Sequence, residues 1–424
     1  MSPGRASLKG FLATARNALL VPPVQRHKPL TFVVGNESAD LDSLCSALLL
    51  AYFRTHTPPH TLHIPLSNLT RADLALRPEL TAVLHPSGLK PDDLITLSDL
   101  PQEEDLSPSD TRWLLVDHNV LTGDLAARFP SPIIIGCIDH HEDEGVVPLA
   151  LPPGQPRVFA KCGSCMSLVV EQCKSTWDQL TSEGGPTCSD STPAAECDAA
   201  LARVALAPIL IDTANLTSKD KTTERDVSAV RVAESKLLLS SSSSSPWGGG
   251  GGGYERGKFY GGLTRLKEQI AGMSYRDVLR KDYKRWSEGS LSLGVSSVVQ
   301  GFEYVIEEVG DKEQAAFLSA LRDWAAEQEL DIVAVMTVSR PGGAFTRELL
   351  VWGLNEEGAK AVREFDLKYR STLGLESWRG GELDGGNIQG KEGLRVCWTQ
   401  RAVENSRKQV APMLRAAMRE SSRL

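Results

Sequence analysis

Several things are missing from this chain, and each absence narrows its class. None of its 424 residues lies in an apolar run near the roughly 18 positions that a membrane-crossing helix needs, so no membrane partner is expected. Positive charge is not in surplus: 54 acidic against 46 basic side chains give a formal charge of −8, which excludes a wholesale electrostatic grip on nucleic acid. An anionic ligand must be held by a local site. No signal peptide precedes the eight scattered cysteines, which are therefore expected to be free thiols. Cys162-Gly163-Ser164-Cys165 has the spacing of a zinc pair, but no second Cys/His pair of matching spacing follows, and small residues opening a helix are the simpler reading. No acidic residue comes before Glu37, whereas Arg5, Lys9, Arg16, Arg26 and Lys28 do; that bias suits either an organelle-targeting segment or an ordinary N-terminal helix. No histidine follows His141.

What is present divides the chain in two. Six serines, Pro246, Trp247 and six glycines make up 240–253, a stretch that cannot bury enough apolar surface to offset its ordering entropy. It reads as a flexible linker between domains at 1–239 and 254–424. The soft segment from Thr181 to Thr192 reads as a surface loop. Before the linker, short β-type runs at Thr31 to Val34, Trp113 to Val116 and Ile133 to Ile138 alternate with helical stretches such as Asp42 to Phe53. That alternation predicts an α/β domain with an open, mostly parallel sheet. Ala199 to Ile211 is Ala/Leu-rich and reads as a helix. After the linker, Leu263 to Trp286 and Asp311 to Gln328 have helical periodicity, while Ile332 to Val338, Glu348 to Trp352 and Leu394 to Trp398 read as strands of a smaller α+β domain.

Four apolar segments of the first half end on acidic or imidazole residues. Val33-Val34 runs into Gly35-Asn36-Glu37-Ser38-Ala39-Asp40-Leu41-Asp42-Ser43. Leu115-Val116 runs into Asp117-His118-Asn119, Cys137-Ile138 into Asp139-His140-His141, and Ile209-Leu210-Ile211 into Asp212-Thr213. In an open parallel sheet the carboxyl ends of strands line one crevice, so residues far apart in sequence converge there. Crowded carboxylates repel unless a multivalent cation sits between them, and Asp oxygens with one or two imidazoles suit magnesium or manganese. Taken singly, Asp40 and Asp42 would be helix caps; four matching segments together favour a metal centre, with room for a pair of ions. An EF-hand reading of Asp40-Leu41-Asp42 fails for want of the mid-loop glycine and the closing glutamate. His56, His60 and His63 are interrupted by Pro58, Pro59 and Pro65 and are expected at the surface.

These motifs resemble the DHH phosphoesterase superfamily, and within it most of all the cytosolic exopolyphosphatases of fungi. The likeness runs from about Phe11 to Leu414, apart from the soft loop and the linker. It implies that Asp40, Asp42, Asp117, His140 and Asp212 bind two divalent ions, with Asp117 bridging them and His141 facing the substrate. Asn36 stands where the manganese-preferring pyrophosphatases of the superfamily have histidine. An amide oxygen is the harder donor, so magnesium is expected ahead of manganese or cobalt. Asp139 and His118 are expected to orient the ligands.

The second half resembles the domain that closes over the metal centre in that branch, with the active site in the cleft between the two domains. Arg407 and Lys408 lie in Ser406-Arg407-Lys408, similar to the family's phosphate-binding signature, and Arg280, Lys281 and Lys284 are further candidate substrate ligands. Ser164, in a loop opening a helix, could also face phosphate. The activity implied is hydrolysis of the terminal phosphoanhydride of inorganic polyphosphate to orthophosphate, by a monomer in the cytoplasm or a mitochondrial pool. Alternatives are another DHH phosphohydrolase, acting on pyrophosphate or on cyclic or short nucleotides, and a catalytically silent regulatory protein of the same fold.

Overall fold

The computed structural model describes residues 4–183, 185–237, 254–386 and 393–421, so the Ser/Gly stretch 240–253 lies outside the described residues. Its internal contacts divide the chain into two compact units, Met1–Leu266 and Lys267–Leu424. Among the described residues, no helix is long and apolar enough to cross a membrane.

In chain order the first unit comprises α1 (Leu8–Leu20), β1 (Leu30–Val34), α2 (Leu41–His56), β2 (His63–Leu66), α3 (Pro78–Leu84), β3 (Thr111–Val116), α4 (Gly123–Arg128), β4 (Ile134–Asp139), β5 (Arg157–Phe159), α5 (Cys165–Glu183), α6 (Ala194–Asp212) and α7 (Glu224–Leu237). The next helix, α8 (Arg256–Glu268), gives Phe259 and Leu263 to the same core, which is why the second unit begins near Lys267 rather than at Tyr254. The sheet runs β2-β1-β3-β4-β5 with every pairing parallel. Its central strands are apolar on both faces because both are covered. Phe32, Val34, Trp113 and Leu115 enter one core with Ala15 and Leu19 of α1, while Val33, Leu114 and Val116 enter the other with α2, α5 and α6.

No β-type run announces β2, His63-Ile64-Pro65-Leu66, whose proline is tolerated at the sheet edge. Its position corrects the expectation of surface histidines: His63 and His56 are buried, with their Nδ1 atoms on the carbonyls of Thr61 and Tyr52. Four of the five N-terminal cations are tied into the unit. Arg5 forms a buried ion pair with Asp198 at 2.6 Å, Arg16 reaches Asp99, Arg26 binds the carbonyls of Leu19, Val21 and Asp105, and Lys28 pairs with Asp110. Six of the eight cysteines are free and buried, but Cys188 and Cys197 form a disulfide, against the expectation for all eight. The loop after α5 folds back on itself, Cys188 N–H donating to Thr192 O, and so brings Cys188 to the start of α6.

The second unit comprises α9 (Tyr275–Lys281), β6 (Tyr283–Glu288), β7 (Leu291–Val298), α10 (Phe302–Glu308), α11 (Gln314–Glu327), β8 (Ile332–Ser339), β9 (Thr346–Gly353), α12 (Glu356–Leu373), β10 (Leu375–Ser377), β11 (Gly385–Gly386), β12 (Leu394–Gln400) and α13 (Arg407–Ser421). Its sheet order is β10-β12-β9-β8-β7-β6, with β11 added on β12; β7 and β8 pair in parallel and the rest are antiparallel. Tyr283 to Trp286, expected to continue a helix, begins a strand: α9 ends at Lys281 and the chain pairs with β7. Val333, Val335, Leu350 and Trp352 pack on one face of the sheet, and Ala334, Met336, Leu349 and Val351 on the other.

Candidate metal centre

Because β1, β3 and β4 are neighbours and parallel, their carboxyl ends open on one edge of the sheet. The turn after β1 is tight. A Cβ on Gly35 would come within 2.5 Å of Ser43 Cβ and 2.8 Å of the Ser43 carbonyl, so only glycine lets this strand end so close to α2. Ala39 and Asp117 both take left-handed backbone conformations, φ 44° and 60°, which cost energy and concentrate at functional sites. Buried Arg77 steadies the first by binding the carbonyls of Ser38 and Ala39 at 2.7 and 2.6 Å.

Asp117 is the hub. Its Oδ2 accepts from Asn36 Nδ2 at 2.8 Å and Ser43 Oγ at 2.7 Å, and its Oδ1 lies 3.1 Å from His140 Nε2 and 3.8 Å from His141 Nδ1. His140 Nδ1 donates to the Cys162 carbonyl at 3.1 Å. A neutral His140 therefore turns the lone pair of Nε2 toward a carboxylate oxygen, an arrangement that calls for a shared cation, proton or metal. Ligand atoms of Asp117, His140 and His141 all lie within 4.8 Å of one another. His141, more exposed than His140, has its Nδ1 on Asp139 Oδ1 at 2.7 Å. Asp139 is in turn held by Asn119 Nδ2 at 2.7 Å. Burial would raise the Asp139 pKa, but the His141 hydrogen bond and charge bring it below the ordinary value.

Asp40 caps α2 through Ser43 N–H at 2.9 Å. Asp42, buried, accepts from Ser164 Oγ at 2.8 Å, Ser46 Oγ at 3.2 Å and the amides of Cys165 and Met166 at 2.7 and 2.9 Å. Burial, then the charges of Asp117, Asp212 and Asp40, pushes the Asp42 pKa well above the carboxylate range, with His140 acting the other way. Those four residues thus lie within electrostatic reach of Asp42. Asp212 arrives differently from the others: its segment is the end of α6, not a strand, and Ala214, Asn215 and Leu216 turn the chain through three successive left-handed residues. An oxygen-rich set with one or two imidazoles fits a hard divalent cation. The thiols of Cys162 and Cys165 donate to the carbonyls of Ser164 and Ile138, and burial raises both pKa values, so they remain protonated.

The remaining expected site residues make contacts of their own. The Asn36 side chain bridges Ser38 and Asp117, and His118 Nδ1 sits on the Val116 carbonyl at 2.9 Å. Ser164, expected to face phosphate, is fully buried and committed to Asp42, and the amides at the start of α5 are committed to carboxylates. In the second unit Arg407 opens α13 and donates to the Asp282 carbonyl at 3.0 Å and to Oδ1 at 2.8 Å, which joins the Arg280–Lys284 stretch to the Ser406–Lys408 stretch. Burial alone would raise the Asp282 pKa; the charges of Arg407 and Lys284 lower it. Arg280 pairs with Asp277 at 2.9 Å, Lys281 is buried with Nζ on the Lys267 carbonyl at 3.4 Å, Lys284 is half-buried and Lys408 is exposed. Sequence reasoning missed Arg77, Asn119 and Asp226. Asn119 stands in the segment after Val116 without a role, and Asp226 left the trace of a Thr223-x-x-Asp226 capping box, which reads as an ordinary helix start.

Parallel strands deliver carboxylates and imidazoles to one edge of the first unit, where they could hold a divalent cation. The chain belongs to the DHH family: residues 31–209 match the DHH family N-terminal domain and residues 262–417 the DHHA2 domain. It is 31% identical, over 98% of its length and 97% of the relative's, to a Schizosaccharomyces pombe protein named "Putative exopolyphosphatase". It is 24% identical, over 78% of its length, to Homo sapiens "Exopolyphosphatase PRUNE1", of which the match spans 63%. Its fold is like that of a Methanococcus jannaschii "putative family II inorganic pyrophosphatase", with a TM-score of 0.55 and 19% identity over 92% of this chain and 99% of that one.

Proposed function

We propose that the protein is a divalent-metal-dependent exopolyphosphatase, releasing orthophosphate from the end of inorganic polyphosphate. The observation that carries the metal reading is the pairing of His140 Nε2 with Asp117 Oδ1, beside an Asp42 crowded by Asp40, Asp117 and Asp212. The substrate reading is supported by the likeness to the S. pombe relative over nearly its whole length. Asp40, Asp42, Asp117, His140 and Asp212 would hold the divalent ions, two of them and magnesium for preference. When bound, the ions would supply Lewis acidity and a water of lowered pKa. With Nδ1 engaged by Asp139, His141 offers Nε2 to hold or give a proton at the leaving oxygen. Arg407 and Lys408 bind phosphate oxygens, Arg by a fork and Lys as a point charge, and Lys281, Lys284 and Arg280 assist. Of the tryptophans that could stack a nucleobase in the second unit, Trp352, Trp378 and Trp398 are core residues and Trp286 is half-buried on β6.

Phosphate release from a panel of polyphosphate lengths, pyrophosphate, cyclic nucleotides and dinucleotides, with magnesium or manganese, tests this reading. Orthophosphate alone should appear, from polyphosphate above all, and a strong preference for pyrophosphate or for any nucleotide would reject it.

A further inference from the structure

The segment from Cys162 to Met166 touches the metal centre in three places. The Cys162 carbonyl accepts from His140 Nδ1, and Ser164 Oγ with the Cys165 and Met166 amides holds Asp42. Gly163 lies so close to Thr213, the neighbour of Asp212, that a Cβ on it would come within 2.5 Å of Thr213 Cγ2. What fixes this segment is a residue outside the centre. Asp226, fully buried, accepts from Gly163 N–H at 2.9 and 3.1 Å, Ser164 N–H at 3.3 Å, Ser167 Oγ at 2.6 Å, and Thr223 N–H and Oγ1 at 2.7 and 2.8 Å. The amides at the start of α5 are thus shared between two carboxylates, Gly163 and Ser164 going to Asp226, Cys165 and Met166 to Asp42. The buried charge of Asp226 is stabilised by the N-termini of two helices, α5 and α7.

We propose that Asp226 is a positioning residue of the metal centre. Through the Gly163 and Ser164 amides it sets where α5 begins, and so fixes Asp42, the ring of His140 and the turn after Asp212. The inference rests on the metal-centre reading above.

Asp226→Asn keeps the shape but puts an NH2 group against amide donors, so at least one of them loses its acceptor. In the purified full chain, Mn2+ affinity measured by calorimetry and by Mn2+ paramagnetic resonance should fall about 10- to 100-fold, the range typical for outer partners of metal ligands. Ser167→Ala, which removes one donor from Asp226, should shift affinity the same way by less. Asp198→Asn serves as a comparison. Asp198 pairs with Arg5 and lies about 21 Å along α6 from Asp212, so its loss should lower Tm and leave Mn2+ affinity intact. Wild-type affinity in Asp226→Asn would overturn the inference and leave the metal centre standing. An equal loss in Asp198→Asn would show that affinity merely follows stability, and would also overturn it. Should Asp226→Asn fail to fold, unchanged affinity in Ser167→Ala decides against it. No Mn2+ binding by the wild type would take the metal-centre reading and this inference down together.

Discussion

The two units of this chain handle charge in opposite ways. In the first, Asp42 and Asp117 are buried, each fixed by several donors that cannot move away: backbone amides, neighbouring hydroxyls, an asparagine. In the second, cations pair with carboxylates that are only partly covered, as Arg407 does with Asp282 and Arg280 with Asp277. A buried cluster of one sign persists only if its surroundings are fixed in advance, because the repulsion is present before any ligand arrives. An exposed ion pair contributes little to stability and can be exchanged for a better anion. The first arrangement suits a resident cation and the second a substrate that comes and goes.

The strongest way to break this contrast is at its hub. Asp117→Asn should lower phosphate release about 10^3-fold or more, beyond the 10- to 100-fold of outer partners, while circular dichroism stays native. Turnover near wild type with saturating metal would remove Asp117 from the centre. A smaller effect separates the units by pH, because all eight histidines belong to the first. Burial lowers the His63 pKa to about 4 from 6.5, so the unfolded chain takes up the proton first as pH falls. Stability from this group is complete above pH 6.5 and is lost on the way down to pH 4, at most about 3 kcal/mol. Denaturation of wild type and His63→Gln at pH 7 and pH 4.5 should show a shallower loss in the variant; parallel losses would show that His63 is protonated without cost in the fold. The smallest effect lies in the second unit. Arg407→Ala should lower phosphate release roughly tenfold, more than Lys284→Ala does, with Tm changed by only a few degrees. Equal turnover in both variants would deny Arg407 a special role.

Much of this was legible because the parallel sheet writes itself plainly. Leu30 to Val34, Trp113 to Val116 and Ile134 to Ile138 are apolar runs, and each stops abruptly at a polar residue where the strand leaves its cover. The segments that carry Asp40, Asp42, Asp117 and His140 follow from that pattern, while their roles as metal ligands are what the resemblance to the DHH phosphoesterases implies. Asp212 fits the strand-end argument less well, since it closes a helix, as the Ala/Leu-rich run before it predicts. The strand from Tyr283 was hidden because alternation over six residues is indistinct in a charged stretch. The parts played by Arg77, Asn119 and Asp226 were not legible because each binds main-chain groups, and an arginine on carbonyls or an aspartate on amides leaves no periodicity to detect.

The division of the α5 amides between Asp42 and Asp226 has an evolutionary side. A helix start that binds phosphate by its backbone would tie substrate choice to the same residues that support the acidic cluster. Here those amides are already occupied, so under the proposed function recognition of the anion falls to side chains such as Arg407 and Lys408. A descendant of this sequence could therefore change what it hydrolyses by drifting in one half of its length while selection keeps the other half almost still.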